Sequence, residues 1–92
     1  MKKAAIIIVN WNGKRFLKDC LNSVYKQTYK KFDVYFVDNG SVDGSSEYVG
    51  KTFPRAKIIQ LDKNYGFAKG NNEGIKEAFK DKAVEYIVCL NN

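Results

Sequence analysis

The chain has 92 residues, 45% of them hydrophobic and 14% aromatic, with a formal charge of +6 from 16 Lys and Arg against 10 Asp and Glu. That length allows one small domain; the apolar content is too high for a disordered segment, and no apolar run is long enough to cross a bilayer. Histidine is absent, which excludes histidine triads, histidine-metal centres and imidazole general bases within these 92 residues.

The bases are scattered along the chain. The charge therefore favours anionic partners such as nucleotides or a membrane surface, or simply a solvated lysine-rich exterior, and predicts no nucleic-acid groove. Cys20 and Cys89 lack both zinc-site spacing and the density of a disulfide scaffold, and read as buried, reduced thiols of a cytosolic protein. The opening "MKKAAIIIVNWNG" has the lysines of a secretory signal but too short an apolar run and no small-residue cleavage site, so it reads as a first strand.

In chain order, the β-branched run "AAIIIVN" (4–10) predicts a central strand covered on both faces. "GKRFLKDCLNSVYKQ" follows, with Leu17, Leu21 and Val24, flanked by Phe16 and Cys20, at helical spacing and Asn12 as N-cap. "FDVYFVD" (32–38) is the second strand. Asp43 is placed to cap a short helix running from Gly44 to about Lys51. "AKIIQL" (56–61) is the third strand, and "GFAKGNNEGIKEAFKD" predicts a third helix with Ala68, Ile75, Ala78 and Phe79 on one face. "EYIVCL" is the fourth strand, within an apolar stretch that runs straight into Asn91 and Asn92.

This alternation predicts an α/β fold of three-layer α/β/α, Rossmann-like architecture. Its βαβαβαβ order gives a mostly parallel four-stranded sheet with helices on both faces. No repeat or linker divides residues 1–92.

In such sheets ligands bind beyond the carboxyl ends of the strands. Those ends read Asn10-Trp11-Asn12, Asp38-Asn39, Asp62-Lys63-Asn64 and Asn91-Asn92, while the amino ends carry Lys2-Lys3, Lys30-Lys31, Pro54-Arg55 and Lys82. Short amides and carboxylates thus gather at one edge, where each loop alone is also ordinary turn chemistry. Trp11, the only tryptophan, is either core or a ring placed to stack on a planar base. Asp38 and Asn39 are either an Asx-turn before Gly40 or acceptors for a base imide or a ribose hydroxyl.

The third helix holds Gly66, Gly70 and Gly74 at four-residue spacing. Such a stripe serves close packing, or lets backbone N–H groups approach a phosphate at the helix start. Asn72 falls on the expected apolar face, where its amide needs a partner. Neither a GxGxxG fingerprint nor a P-loop occurs, and the acidic cluster of a receiver domain is missing.

The blocks "IIIVNWNG", "LNSVYKQTY", "FVDNGSVDGS", "NYGFAKGNNEGI" and "YIVCLNN", in that order and spacing, resemble the N-terminal half of the family 2 glycosyltransferases, the inverting GT-A enzymes. The Asp-Asn-Gly-Ser form is similar to rhamnosyl- and galactofuranosyl-type members. The resemblance implies a nucleotide-diphosphate sugar donor, UDP- or dTDP-linked. Val9 and Trp11 would lie against the base, Asp38 and Asn39 at base or ribose, with Asn10, Asn12, Gly40, Asn64, Gly66, Asn71 and Asn72 completing the nucleotide-binding set. It also implies Mg²⁺ or Mn²⁺ in the full-length enzyme, held by an Asp-x-Asp-like motif in which Asn91 and Asn92 take the first two places and the terminal Asp would be the next residue.

On that resemblance the chain is a half-domain cut before its metal ligand and before the acceptor half. It would bind no metal tightly, contain no catalytic residue and be inactive alone. The full-length protein would act in the cytoplasm, at the inner face of a membrane, on a glycan or lipid-linked acceptor. Self-association or strand exchange follows from the uncovered sheet. Two other classes fit the same residues: a self-contained nucleotide-binding regulatory module, and an α/β protein-interaction domain without a small ligand.

Overall fold

The computed structural model describes residues 2–91. Its elements are β1 (Lys3–Asn10), α1 (Lys14–Tyr25), β2 (Phe32–Asn39), α2 (Ser45–Thr52), β3 (Lys57–Leu61), α3 (Phe67–Ala78) and β4 (Val84–Asn91). The strands form one sheet in the order β3-β2-β1-β4, every pair parallel. The chain steps outward from β1 to β3, and α3 then carries it back to the far side of β1. The winding direction therefore reverses at β1, which opens a crevice at the carboxyl end of the sheet.

Strand alternation divides the core in two. Ala4, Ile6, Ile8, Val34 and Phe36 meet Leu17, Leu21 and Val24 of α1 and Val49 of α2 on one face. Ala5, Ile7, Val9, Tyr35 and Val37 meet Ala78 of α3 on the other. β1 is covered on both sides, as its unbroken apolar run requires, and each fully buried Ile or Leu contributes about 1.5–3 kcal/mol.

α3 meets the sheet with only part of the face its hydrophobic residues suggest: Ala78 is buried and Ile75 packs beside it, but the contact is centred on the glycines. Gly70, Gly74 and Ala78 are buried, whereas Ala68, Asn72 and Phe79 are exposed. Sterics decide this: a β-carbon on Gly70 would lie 2.7 Å from Val9 Cγ1, and one on Gly74 would overlap Ile7 Cγ2. The helix backbone rests on β1 and β2 themselves, and only a smooth stripe permits that. Asn72 consequently needs no buried partner.

α1 begins after Gly13, not Asn12, and carries no side-chain cap of its own. Asp43, from the loop after β2, takes over: its Oδ2 accepts from Lys14 N–H at 3.0 Å, while its Oδ1 accepts from Ser45 N–H at 3.0 Å at the start of α2. One carboxylate thus serves two helix starts. The thiols also differ from expectation, since Cys89 is exposed on edge strand β4 and Cys20 is half-buried.

At the amino edge, Lys3 Nζ lies 2.8 Å from Asp33 and 2.5 Å from Asp81, and Lys57 Nζ 3.2 Å from Asp33. This ionic knot joins β1, β2, β3 and the turn before β4, so the two ends of the sheet differ in chemistry as well as direction.

Candidate functional site

Because all four strands run parallel, Asn10–Asn12, Asp38–Gly40, Asp62–Asn64 and Asn91 end on one rim. Register then selects neighbours. Asn10 pairs with Asp38 and Asp38 with Gln60, which places three polar side chains in a row across β1, β2 and β3.

Asp38, 1% exposed, is the centre of that row. Its Oδ1 accepts from Ser41 Oγ at 2.6 Å and Asn10 Nδ2 at 3.1 Å. Its Oδ2 accepts from Ser46 Oγ and Gln60 Nε2, each at 3.0 Å, and from Ser41 N–H at 3.3 Å. A buried carboxylate is tolerated only when so satisfied, and here all five donors come from the protein.

Asn39, next along the strand, points to the opposite face. It is 2% exposed. Its Nδ2 donates to Gly66 C=O at 2.9 Å, and its Oδ1 accepts from Tyr65 N–H at 3.0 Å. Asn64 Oδ1 accepts from Gly66 N–H at 2.8 Å, so the β3–α3 loop is strapped down over the end of β2. Gly40, at φ +75°, lies against this strap, and any β-carbon there would overlap the Lys63 backbone.

The Trp11 loop is held from the other side. Asn12, at φ +50°, accepts on its Oδ1 from Val42 N–H at 2.9 Å, and its own N–H donates to Ser41 Oγ at 2.8 Å. Between the fastened Asn10 and Asn12, Trp11 stands 56% exposed. It is not core. Val9 does belong to the core, under α3 and 4% exposed, so its side chain is turned away from the rim.

Gly66 opens α3 at φ +90° with nothing within 4 Å of where a β-carbon would stand, while Asn64 and Asn72 are exposed nearby in sequence. Asn71 Oδ1 is buried without a hydrogen-bond partner. Beside the Trp11 loop, Asn12, Lys14, Arg15, Lys18, Asp43 and Tyr48 line an open cavity of about 690 Å³. Burial opposes ionisation of Asp43, but hydrogen bonds from Ser45 and from the Lys14 and Ser45 N–H groups outweigh it and hold the carboxyl below its usual range. The Tyr65 hydroxyl, donating to Asp62 at 2.5 Å, lowers the Asp62 pKa and has its own raised in turn.

Most of the predicted residues thus fall into two loop clusters that share one rim, while Val9 lies in the core and Asn71 and Asn72 lie on α3. Sequence reading missed Ser41, in the loop after β2, Ser46, at the start of α2, and Gln60, which cross-strand register sets beside Asp38. The only signals were the Ser after Asn-Gly and a lone Gln in an apolar strand.

Among the described residues no group of three or more Cys, Asp or Glu side chains is placed to hold a metal ion. Asn92, a predicted neighbour of the metal motif, lies outside the described residues, as does the side chain of Asn91.

Residues 5–92 match the model of glycosyl transferase family 2. The chain belongs to that family. Among curated relatives of this family 2 chain, the poly-β-1,6-N-acetyl-D-glucosamine synthase of Staphylococcus epidermidis is 31% identical over 88 residues, covering 94% of this chain and 20% of that protein. A teichoic acid poly(glycerol phosphate) polymerase of the same species is 28% identical over 81 residues, covering 84% of this chain and 11% of its own length. Staphylococcus aureus TarS 1-349 superposes with a TM-score of 0.84 at 28% identity, over 97% of this chain and 27% of that one. A mannosyltransferase from Pyrobaculum calidifontis, solved with GDP-Man and Mn²⁺, shares the fold with a TM-score of 0.71 at 23% identity, over 82% and 24% of the two chains. The family 2 chain therefore spans about a fifth or less of the curated relatives named here, and its sheet is that of the GT-A glycosyltransferases.

Proposed function

We propose that this chain binds the nucleotide of a nucleotide-diphosphate sugar, UDP- or dTDP-linked, as the donor part of an inverting glycosyltransferase in cell-surface glycan synthesis. The observation that carries this is the exposed Trp11 ring, held between two fastened asparagines at the carboxyl rim where the winding reverses. A base stacked on it gains roughly 1–3 kcal/mol by analogy with base–aromatic stacking in nucleic-acid complexes. Asp38 and Asn39 are taken up by protein donors, so on this proposal they shape the pocket, and the ligand meets the loops they hold.

Asn10, Asn12, Gly40, Asn64, Gly66, Asn71 and Asn72 belong to the proposed rim, and Val9 supports it from below. A rhamnosyl- or galactofuranosyl-type transfer to a glycan or lipid-linked acceptor fits the Asp-Asn-Gly-Ser form. Inversion needs a base at the acceptor hydroxyl, and no residue of this chain is assigned that role. Mg²⁺ or Mn²⁺ is assigned to residues of a longer enzyme. A cytoplasmic location, and self-association through the open edge of β4, complete the proposal. No helix among the described residues is long and apolar enough to cross a membrane.

The test is an amide-resolved NMR titration with UDP, dTDP, GDP and ADP, with and without Mn²⁺, on the protein and on Trp11→Ala. Saturable shifts at residues 9–12 and 38–40 are expected. The substitution should weaken binding about fivefold or more, for less than about 0.5 kcal/mol of stability, because the ring is largely exposed. Equal nucleotide affinity in both proteins would refute the stacking role.

A further inference from the structure

We propose that Ser41 is the positioning residue that sets the orientation of Trp11 for the donor base, which rests on the stacking role given to Trp11 above. A serine hydroxyl has one donor and two acceptor places, and here all three are filled. Ser41 Oγ donates to Asp38 Oδ1 at 2.6 Å and accepts from Asn12 N–H at 2.8 Å and from Asn10 Nδ2 at 3.3 Å. Its two acceptor bonds thus reach the residue before Trp11 and the residue after it.

The donor bond gives this arrangement its direction. With its hydrogen committed to the Asp38 carboxylate, the hydroxyl has its lone pairs left for Asn10 and Asn12. Asp38 is itself fixed by Ser46 and Gln60 from α2 and β3. The next residue continues the link, since Val42 N–H donates to Asn12 Oδ1 at 2.9 Å. Asn12 occupies the left-handed region, which an asparagine adopts only at modest cost and with local hydrogen bonding to hold it. Loss of the Ser41 hydroxyl leaves the Asn12 N–H without its acceptor, and the peptide that carries the indole then relaxes.

Trp11 is the only tryptophan, so its near-ultraviolet circular dichroism band and fluorescence anisotropy report its orientation without any ligand. In Ser41→Ala the band should collapse and the anisotropy fall, and the dissociation constant for the best-binding nucleotide should rise about tenfold. Ser41→Thr, which keeps the hydroxyl, should restore both. If Ser41→Ala does not fold, the nearly isosteric Ser41→Cys, with a weak sulfur acceptor, takes its place with the same readouts. An unchanged Trp11 signal in a folded variant would overturn the positioning role and leave base stacking intact. A lost Trp11 signal with unchanged nucleotide affinity would instead overturn the stacking role on which the proposal rests.

Discussion

Replacing Asp38 by Ala removes the acceptor for five donors at once, and the structure shows how unequal the consequences are. Asn10 Nδ2 keeps Ser41 Oγ, Gln60 Nε2 keeps the Leu61 carbonyl, and the single hydroxyl hydrogen of Ser46 turns to Gln60 Oε1. Ser41 fares worst: its N–H and its hydroxyl hydrogen both lose the bond they make to Asp38. A donor left unsatisfied away from water costs about 1–3 kcal/mol, and Ser41 is only partly buried, so the two together come to about 2–4 kcal/mol. A chain of this length has roughly 5–14 kcal/mol of stability in total, so the variant should lose a large share of it. Urea unfolding followed by far-ultraviolet circular dichroism measures this directly. A loss below about 0.5 kcal/mol, accompanied by complete loss of nucleotide binding, would mean that Asp38 serves the ligand and not the loops.

Gly74→Ala should destabilise by about 1–2 kcal/mol, because overpacking against Ile7 and Val37 exceeds the roughly 1 kcal/mol that alanine gains in a helix. Asn72→Ala, on the exposed side of the same helix, should be neutral or slightly stabilising; equal stabilisation of both in urea would refute the face assigned to α3. At the amino edge, the hydrogen bond from Lys3 lowers the Asp81 pKa below its ordinary 3.8, and the bonds to Asp33 first and Asp81 second raise that of Lys3 above its ordinary 10.5. Burial opposes ionisation of Asp33, but its bonds from Lys3 and Lys57 prevail and lower its pKa too. A carboxylate with a lowered folded pKa stabilises above its unfolded value and loses that contribution as pH falls through the folded one. The gap in urea midpoint between the protein and Asp81→Asn should therefore be full at neutral pH and close as the pH drops below 3.8. A gap that persists in acid would rule out the ionic origin.

The strands and their direction were legible because each signal is local. A run such as residues 4–10 is apolar at every position only if both faces are covered, and polar residues just past four such runs mark one rim once the strands are parallel. α3 was legible as a helix, but its inward face only in part. Hydrophobicity points to Phe79 and Ala68, while the decision belongs to the space between the helix backbone and Ile7, which the four-residue glycine spacing, read as a close-packing stripe, had signalled. The capping of α1 was misread for a related reason: Asp43 supplies it from another loop, where sequence reasoning looks one residue upstream. Gln60 stayed hidden because register between β2 and β3 fixes its partner, and Ser41 and Ser46 because the path of the β2–α2 loop brings them back to Asp38.

Asp38 and Asn39 are consecutive, yet strand pleating sends one to the loops beside α1 and α2 and the other to the loop before α3. One dipeptide thus governs two walls of the same rim through separate hydrogen-bond sets. A change at residue 39 acts first on the β3–α3 loop, and a change at residue 38 first on the loops beside α1 and α2. The two walls are in this way fastened by neighbouring side chains of one dipeptide, with Gln60 on β3 and Gly40 against Lys63 joining them across the rim.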